Sequence, residues 1–284
     1  EEGINKGVDS PEELRKIAFS ISSEVAGYLR DTLDIKGAGD IIKRNAGGDV
    51  TRRIDLIAEN LLIELIKREG ICSLVVSEEI GRKKLCEEPE YIAIVDPLDG
   101  SMNYLSKIPF ASVSIAFAPY NTPFYNGVLA GAISNIFIRE TYSFNKEECF
   151  IDNTPLTNHN STRYSTGNIV VYTSSPEMFR VLHSFMKKYI PWGRLRVLGS
   201  AALEICYTGL GRISLFINNT GKLRNVDIVA ASKFAEKLGL KVVGIDGEEI
   251  DFRLDDIVWI KSIIVGPRDL VNNFIKLASI KGSG

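Results

Sequence analysis

Two arrangements of apolar runs constrain the fold more than any other feature of the sequence. Between residues 112 and 152, short β-type runs follow one another with turn residues between them, which is typical of an antiparallel meander. From residue 168 onward, strand-like runs alternate with helix-like runs, and this alternation indicates a sheet covered by helices. The sequence therefore predicts an α+β part followed by an α/β part. The polar segment 154–168 between them suggests two domains, 1–160 and 161–284.

The first hundred residues predict two helices and two strands. Ser-Pro-Glu-Glu at 10–13 is a helix-start signal, and apolar residues follow it at helical spacing. A second helix is expected over 51–69, and strands are expected over 73–77 and 91–96. The glycine-rich stretch 36–49 predicts a mobile loop or a hairpin.

Composition and missing motifs exclude several classes of protein. The formal net charge of −2 provides no electrostatic basis for binding nucleic acid or an anionic membrane, and no apolar run of about 18 residues predicts a membrane span. No P-loop, dinucleotide fingerprint or GxSxG elbow is present, so the chemistry must have another basis. The cysteines form no CxxC pair, and we expect buried or inert thiols in a reducing cytoplasm at Cys72, Cys86, Cys149 and Cys206.

The segment VDPLDGSMNY places two carboxylates at the end of an apolar strand. Asp96 and Asp99 would lose their water there unless another group replaced it. Divalent cations would do so, because hard oxygen ligands suit Mg²⁺. Gly100 allows close approach of a phosphate, and Ser101 is placed to cap a short helix whose N–H groups favour an anion. DPLDG is also a common turn, so these residues alone leave both interpretations open.

Three further acidic residues adjoin apolar segments at two places in the sequence. Glu78 and Glu79 directly follow the strand SLVVS, where acids are also common as solvated strand ends. Asp227 opens the apolar helix-like run VDIVAAS, where an aspartate is also a common helix cap. Each position taken singly has a plain structural explanation.

Taken together, VSEE, DPLDGSMNY and VDIVAAS resemble motifs of the inositol monophosphatase and fructose-1,6-bisphosphatase superfamily. DVTRRID (49–55) and VLGSAALE (197–204) resemble two other elements of that family, and the resemblance covers about residues 10–270. It implies a layered αβαβα sandwich of the sugar phosphatase type. Within the family the sequence is most similar to the archaeal-type dual inositol monophosphatase/fructose bisphosphatase branch.

The resemblance also implies a metal-dependent mechanism. Two or three Mg²⁺ ions would be bound, Mn²⁺ could substitute for them, and lithium would inhibit. Asp55 and Ser101 would orient and deprotonate the attacking water, although Asp55 could also be a surface acid on its charged helix. Backbone N–H groups of Gly100 and Ser101 would bind the phosphate. Glu78 would be both a catalytic residue and a metal ligand, within the implied ligand set of Glu78, Asp96, the Leu98 carbonyl, Asp99 and Asp227.

The implied substrate pocket is less typical of the family. Gly199, Ser200 and Ala201 would line it. Thr220 occupies the position that reads the sugar or polyol, and it matches neither the inositol nor the archaeal-type pattern. Arg224 resembles a basic residue of the archaeal-type enzymes that could contact a second phosphate, but it could also be a surface arginine or an ion-pair partner of the acids.

The expected function is therefore hydrolysis of fructose 1,6-bisphosphate, inositol monophosphate or both by a cytoplasmic homodimer. Three alternatives remain open on the sequence. One is a 3′-phosphoadenosine 5′-phosphate phosphatase with the same metal site, and another is a strict inositol or sugar monophosphatase. The third is a catalytically silent metal-binding relative.

Overall fold

The computed structural model describes residues 10–44, 50–156 and 166–281. The helices are α1 (Pro11–Asp31), α2 (Arg53–Arg68), α3 (Ser101–Leu105), α4 (Pro176–Tyr189), α5 (Ala201–Gly209), α6 (Asn225–Lys237) and α7 (Arg268–Lys281). The strands are β1 (Ile41–Arg44), β2 (Val50–Arg52), β3 (Ser73–Ser77), β4 (Gly81–Lys84), β5 (Tyr91–Asp99), β6 (Ser112–Pro119), β7 (Ala130–Asn135), β8 (Thr141–Phe144), β9 (Cys149–Ile151), β10 (Thr154–Pro155), β11 (Asn168–Tyr172), β12 (Arg194–Arg196), β13 (Leu215–Asn218), β14 (Leu223–Arg224), β15 (Lys241–Val243), β16 (Trp259–Ile260) and β17 (Ile263–Gly266).

The first helix forms where its capping and periodicity signals predict it. Ser10 caps α1, because its hydroxyl accepts the Glu13 N–H at 3.2 Å. Leu14, Ile21 and Val25 recur on one face of α1 and are fully buried or nearly so. Burying each such side chain contributes about 1.5–3 kcal/mol, so the apolar face rather than helix propensity holds α1 in place.

An eight-stranded sheet follows the order β10-β9-β8-β7-β6-β5-β3-β4. The predicted meander is confirmed, since each strand from β6 to β9 pairs antiparallel with the next strand in the chain. In contrast, β3 and β5 run parallel, with Ser77 opposite Val95. Strand β5 extends beyond its predicted end to Asp99, and its register with β6 shifts between Asp96 and Asp99. The register shift falls at the two aspartates of the motif.

The second sheet has five strands in the order β12-β11-β13-β17-β15. Strand β11 is parallel to β12 and β13, whereas β17 is antiparallel to its neighbours β13 and β15. One core lies between α1, α2 and the eight-stranded sheet, a second includes α5 and α6 between the two sheets, and a third joins the five-stranded sheet to α4 and α7. This order of layers confirms the predicted αβαβα sandwich.

Two of the sequence predictions fall partly outside the described residues. The proposed domain boundary lies between Leu156 and Thr166, and the division into 1–160 and 161–284 stays a prediction. In the glycine-rich stretch, β1 and β2 pair antiparallel, which agrees with a hairpin, while residues 45–49 lie outside the described part. Across the described ranges no helix is both long and apolar enough to span a membrane.

The prediction that all four cysteines are free thiols is wrong. Cys72 and Cys86 form a disulfide with a Cα–Cα distance of 5.6 Å, whereas Cys149 and Cys206 are free and buried. The antiparallel pairing of β3 and β4 puts Leu74 opposite Lys84. Continued by two residues, that register places the two cysteines opposite each other at the open end of the hairpin. The sequence spacing did not reveal this pairing, because the position of the turn was unknown.

Candidate active site

Three carboxylates from separate elements meet at the end of the parallel strand pair. Glu78 directly follows β3, Asp96 lies in β5, and Asp227 is the third residue of α6. One oxygen of each lies within 4.8 Å of the others. Because β3 and β5 are parallel neighbours, their carboxyl ends lie side by side, and α6 adds its first turn from the layer between the sheets. The structure thus brings together three of the predicted ligands that are up to 149 positions apart.

Asp227 also has the capping role that its sequence position suggested. Its Oδ2 accepts the backbone N–H of Arg224 at 2.7 Å, which satisfies a free donor at the start of α6. The cap fixes the orientation of the carboxylate. The same aspartate can therefore cap the start of a helix and face the acidic group.

Asp99 is oriented toward a different partner. Its carboxylate accepts the backbone N–H groups of Ala201 and Ala202 at 3.2 and 2.9 Å, at the start of α5. It also accepts hydrogen bonds from the hydroxyls of Ser200 and Ser112. Asp99 borders the same cavity as the three clustered acids but does not belong to that group. Its assignment as a metal ligand stays a prediction.

Burial makes this collection of acids costly to ionise. Loss of water raises the pKa of Asp96 well above its usual range, and the charges of Asp99 and Glu78 raise it further. Burial likewise raises the pKa of Asp99 to about 6 and that of Asp227 to about 7. A divalent cation would relieve both the repulsion and the desolvation. Closely spaced oxygen donors on two buried side chains and one half-buried side chain fit a hard cation such as Mg²⁺.

Asp55 and Ser101 share a small cavity with two of the clustered acids. The cavity measures about 30 Å³ and also contacts Glu78, Asp96 and the backbone-ligand candidate Leu98. Asp55 is not a surface acid: it is buried in the first turn of α2, where burial raises its pKa to about 6. No hydrogen bond joins the side chains of Asp55 and Ser101, both of which the structure describes. Their shared position is consistent with the predicted pairing, and their roles stay predictions.

The start of α3 differs from the sequence prediction in one detail. Gly100, not Ser101, is the N-cap, and Ser101 is the first helical residue. Gly100 has φ = +86°, and a Cβ there would lie 2.9 Å from the Gly199 carbonyl oxygen. Only glycine satisfies both constraints without a shift. Gly100 and Gly199 therefore hold the turn before α3 and the opposite pocket wall in close contact.

A cavity of about 390 Å³ opens next to the acids. Of the predicted substrate residues, Gly100, Ser101, Gly199, Ala201, Thr220 and Arg224 border it. Ser200 does not, because it is buried and its hydroxyl faces Asp99. The structure adds five lining residues that sequence reasoning missed: Met102, Tyr172, Asn218, Lys222 and Leu223. Tyr172 and Asn218 end two parallel strands and lie opposite each other, so their position at strand ends was the available signal.

Two further buried acids near the site were also missed as site residues. Glu79 is buried, accepts a hydrogen bond from Thr51, and has its pKa raised to about 7 by burial. Glu59 is fully buried, accepts hydrogen bonds from Ser77 and from the Ile80 N–H, and has one carboxylate oxygen without a partner. Glu59 follows Asp55 by four positions on α2, and this spacing was the signal that could have identified it.

Arg224 lies on the clustered acids rather than on the surface. Its Nη1 is 2.8 Å from Glu78 Oε1, and its Nη2 is 3.2 Å from Asp227 Oδ1. Its guanidinium also lies over the Trp259 ring, 5.7 Å from the centroid. Of the alternatives that the sequence left open, the structure shows the ion pair with the acids. Contact with a second phosphate stays a prediction.

Comparison with known proteins agrees with the fold and with the motifs. The model of the inositol monophosphatase family matches residues 10–277. An inositol-1-monophosphatase of Aeropyrum pernix is 34% identical over 84% of this chain and 87% of its own length. A fructose-1,6-bisphosphatase/inositol-1-monophosphatase of Methanothermobacter thermautotrophicus is 31% identical over 83% of this chain and 85% of its own.

A solved structure from Pyrococcus horikoshii, described as similar to inositol-1 monophosphatase, shares the fold. Its TM-score is 0.73 at 24% identity, with 94% of this chain and 98% of that chain covered. The family model spans nearly the whole described chain, and two archaeal relatives exceed 30% identity over most of their length. On these grounds the chain belongs to the inositol monophosphatase family, and it is a phosphoric monoester hydrolase.

Proposed function

We propose that the protein hydrolyses phosphate monoesters of sugars or polyols with the help of bound Mg²⁺. The observation that carries this proposal is the group formed by Glu78, Asp96 and Asp227, whose oxygens lie within 4.8 Å of one another beside a cavity of about 390 Å³. Asp99 and the Leu98 carbonyl complete the proposed ligand set, and Mn²⁺ is expected to substitute. When bound, the cations would neutralise charge on the phosphate oxygens and lower the pKa of water.

The small cavity between Asp55 and Ser101 is the proposed place of the attacking water. At about 30 Å³ it is large enough to hold a water molecule, and it adjoins Glu78 and Asp96. Burial raises the pKa of Asp55 to about 6, which brings its basicity closer to neutral pH. In the proposal Asp55 accepts the proton of that water, while the Ser101 hydroxyl orients it.

The rest of the pocket suits a small phosphorylated polyol. Backbone N–H groups of Gly100 and Ser101 would bind the phosphate, while Gly199, Ala201 and Thr220 would face the carbon skeleton. A volume of about 390 Å³ falls in the usual range for small-ligand pockets. The names of the relatives support fructose 1,6-bisphosphate, inositol 1-phosphate or both as substrates. A cytoplasmic homodimer remains the expectation from the family resemblance.

Phosphate release from a panel of substrates tests the proposal. Protein treated with EDTA should be inactive, and Mg²⁺ or Mn²⁺ should restore hydrolysis of inositol 1-phosphate, fructose 1,6-bisphosphate or both. Asp96→Asn should lose about 10²–10³-fold in kcat, the order expected when a group that stabilises transition-state charge is removed. Activity confined to 3′-phosphoadenosine 5′-phosphate would replace the proposed substrate class. Full activity in EDTA, or in Asp96→Asn, would contradict the metal site itself.

A further inference from the structure

Arg224 binds the same carboxylates that are proposed to hold cations. Its guanidinium contacts Glu78 Oε1 at 2.8 Å and Asp227 Oδ1 at 3.2 Å, so it bridges two of the three clustered acids. The side chains of Arg224, Glu78 and Asp227 are only 12%, 22% and 9% exposed. An ion pair with so little solvent around it is weakly screened, and it differs in this respect from surface pairs.

Three features hold the guanidinium in that place. The backbone of Arg224 is fixed because β14 pairs with β16, with Arg224 opposite Trp259. Its N–H is fixed by the Asp227 cap at 2.7 Å. The planar guanidinium lies over the indole of Trp259. Arginine commonly stacks on aromatic rings in this way, and the contact restricts rotation of the guanidinium. Arg224 is therefore prepositioned against the acids.

We infer that Arg224 is a built-in cation that competes with divalent ions for Glu78 and Asp227 and so sets the ion concentration at which the site fills. This inference rests on the proposed function, because it takes the acidic group to be the metal site. A divalent ion bound by these residues must share or displace the hydrogen bonds of the guanidinium. The ion also experiences the positive charge of Arg224 at close range, which weakens binding.

The same contacts give Arg224 a second effect. Asp96, Asp99 and Asp227 are buried and border one cavity, where their like charges repel one another. Arg224 offsets part of this repulsion through its own positive charge, since its guanidinium lies 3.2 Å from Asp227 Oδ1 and 2.8 Å from Glu78 Oε1. The protein is therefore stabilised at low ion concentration by the same side chain that makes the ions bind less tightly. Removing that charge should shift both properties in opposite directions.

The test is Mn²⁺ binding, measured by isothermal titration calorimetry on EDTA-treated protein without substrate. Arg224→Met should bind Mn²⁺ at least 10-fold more tightly than the unchanged protein, which corresponds to about 1.4 kcal/mol. Arg224→Lys keeps the charge but loses the planar contacts with both acids and Trp259, so its Mn²⁺ affinity should lie between those of the unchanged protein and Arg224→Met. Arg180→Met, on the outer helix α4, removes one charge far from the acids and should leave Mn²⁺ affinity unchanged.

Thermal melts provide a second readout that does not depend on activity. In EDTA, Arg224→Met should melt at a lower temperature than the unchanged protein, and saturating Mn²⁺ should raise its melting temperature by a larger amount. A variant that folds only with Mn²⁺ would also support the inference. Equal or weaker Mn²⁺ binding by Arg224→Met, or failure to fold even with saturating Mn²⁺, would overturn it. Absence of Mn²⁺ binding by the unchanged protein would instead overturn the proposed metal site.

Discussion

Removal of the Cys72–Cys86 disulfide should cost about 3 kcal/mol of the free energy of unfolding. The two cysteines are 14 positions apart, and closing a loop of about 15 residues in the unfolded chain is worth about 3 kcal/mol in the chain-entropy account. Both side chains are half-buried at the open end of the β3–β4 hairpin, so serine fits at either position without burying a new polar group. The loss should therefore come almost entirely from the freed loop.

The disulfide should also support the acid pair that follows β3. Strand β4 is the edge of the eight-stranded sheet and is largely exposed, so it is held through its pairing with β3. Glu78 and Glu79 lie in the turn that joins these two strands. When the open end of the hairpin can fray, the turn should become less ordered. We expect weaker binding of Mn²⁺ in addition to the lower global stability.

Urea unfolding followed by circular dichroism measures the effect. The double variant Cys72→Ser/Cys86→Ser should unfold at a midpoint lower by roughly 1 M urea, and dithiothreitol should shift the unchanged protein by the same amount. The double variant itself should not respond to dithiothreitol, because its remaining cysteines, Cys149 and Cys206, are free. A loss below about 1 kcal/mol, or an equal response of the double variant to the reductant, would refute the reasoning.

Three further predictions concern groups around the core and the pocket wall. Burial raises the pKa of Glu204 to about 8, so the folded state holds an extra proton and stability should fall between pH 4.5 and 8. Glu204→Gln should reduce the fall in the free energy of unfolding between pH 5 and pH 8.5, measured by urea unfolding, by at most about 5 kcal/mol. If the variant loses as much stability over this pH range as the unchanged protein, Glu204 is not the group responsible. Gly199→Ala should lower both stability and kcat/KM for the substrate, because φ at this position is +89° and a Cβ would lie 2.8 Å from Asn103 Nδ2. Gly239→Ala is the control: φ there is +86°, but a Cβ would have no atom within 4 Å, so this variant should lower stability alone. Arg15→Met should cost about 2–3 kcal/mol in the same unfolding assay, because this buried guanidinium bonds Glu12 twice and Ser143 and Asn153 once each; a loss under 0.5 kcal/mol would show that these contacts contribute little.

Local sequence signals predicted most of the secondary structure correctly. The predicted helix over 51–69 is α2, Arg53–Arg68, and the predicted strand at 73–77 is β3. Such elements depend on residues a few positions apart, so capping and periodicity identify them. Strand β5 was predicted too short, because a proline and two aspartates normally indicate a turn. Its pairing with β6 across a register shift carries the strand on to Asp99.

The candidate site was predicted in part, and the limits have a physical cause. Motif resemblance selected Glu78, Asp96 and Asp227, and the structure brings these three together. It did not predict that Asp99 would accept the N–H groups at the start of α5, and it left open whether Arg224 contacts a second phosphate, pairs with the acids or lies on the surface. Asp99 and the start of α5, and likewise Arg224 and Glu78, lie on elements far apart in the chain, and no local pattern encodes which of these elements face each other.

The sequence by itself determined the kinds of elements, their order, and the family. Apolar spacing and helix caps are read within about ten residues, and the acidic motifs are continuous segments. Only the tertiary structure decided which groups meet. Strand order and register place Cys72 opposite Cys86, and the stacking of α5 and α6 on the eight-stranded sheet brings Asp99 and Asp227 to their partners. Such contacts depend on the relative placement of elements far apart in the chain, so they exist only once the whole core has packed.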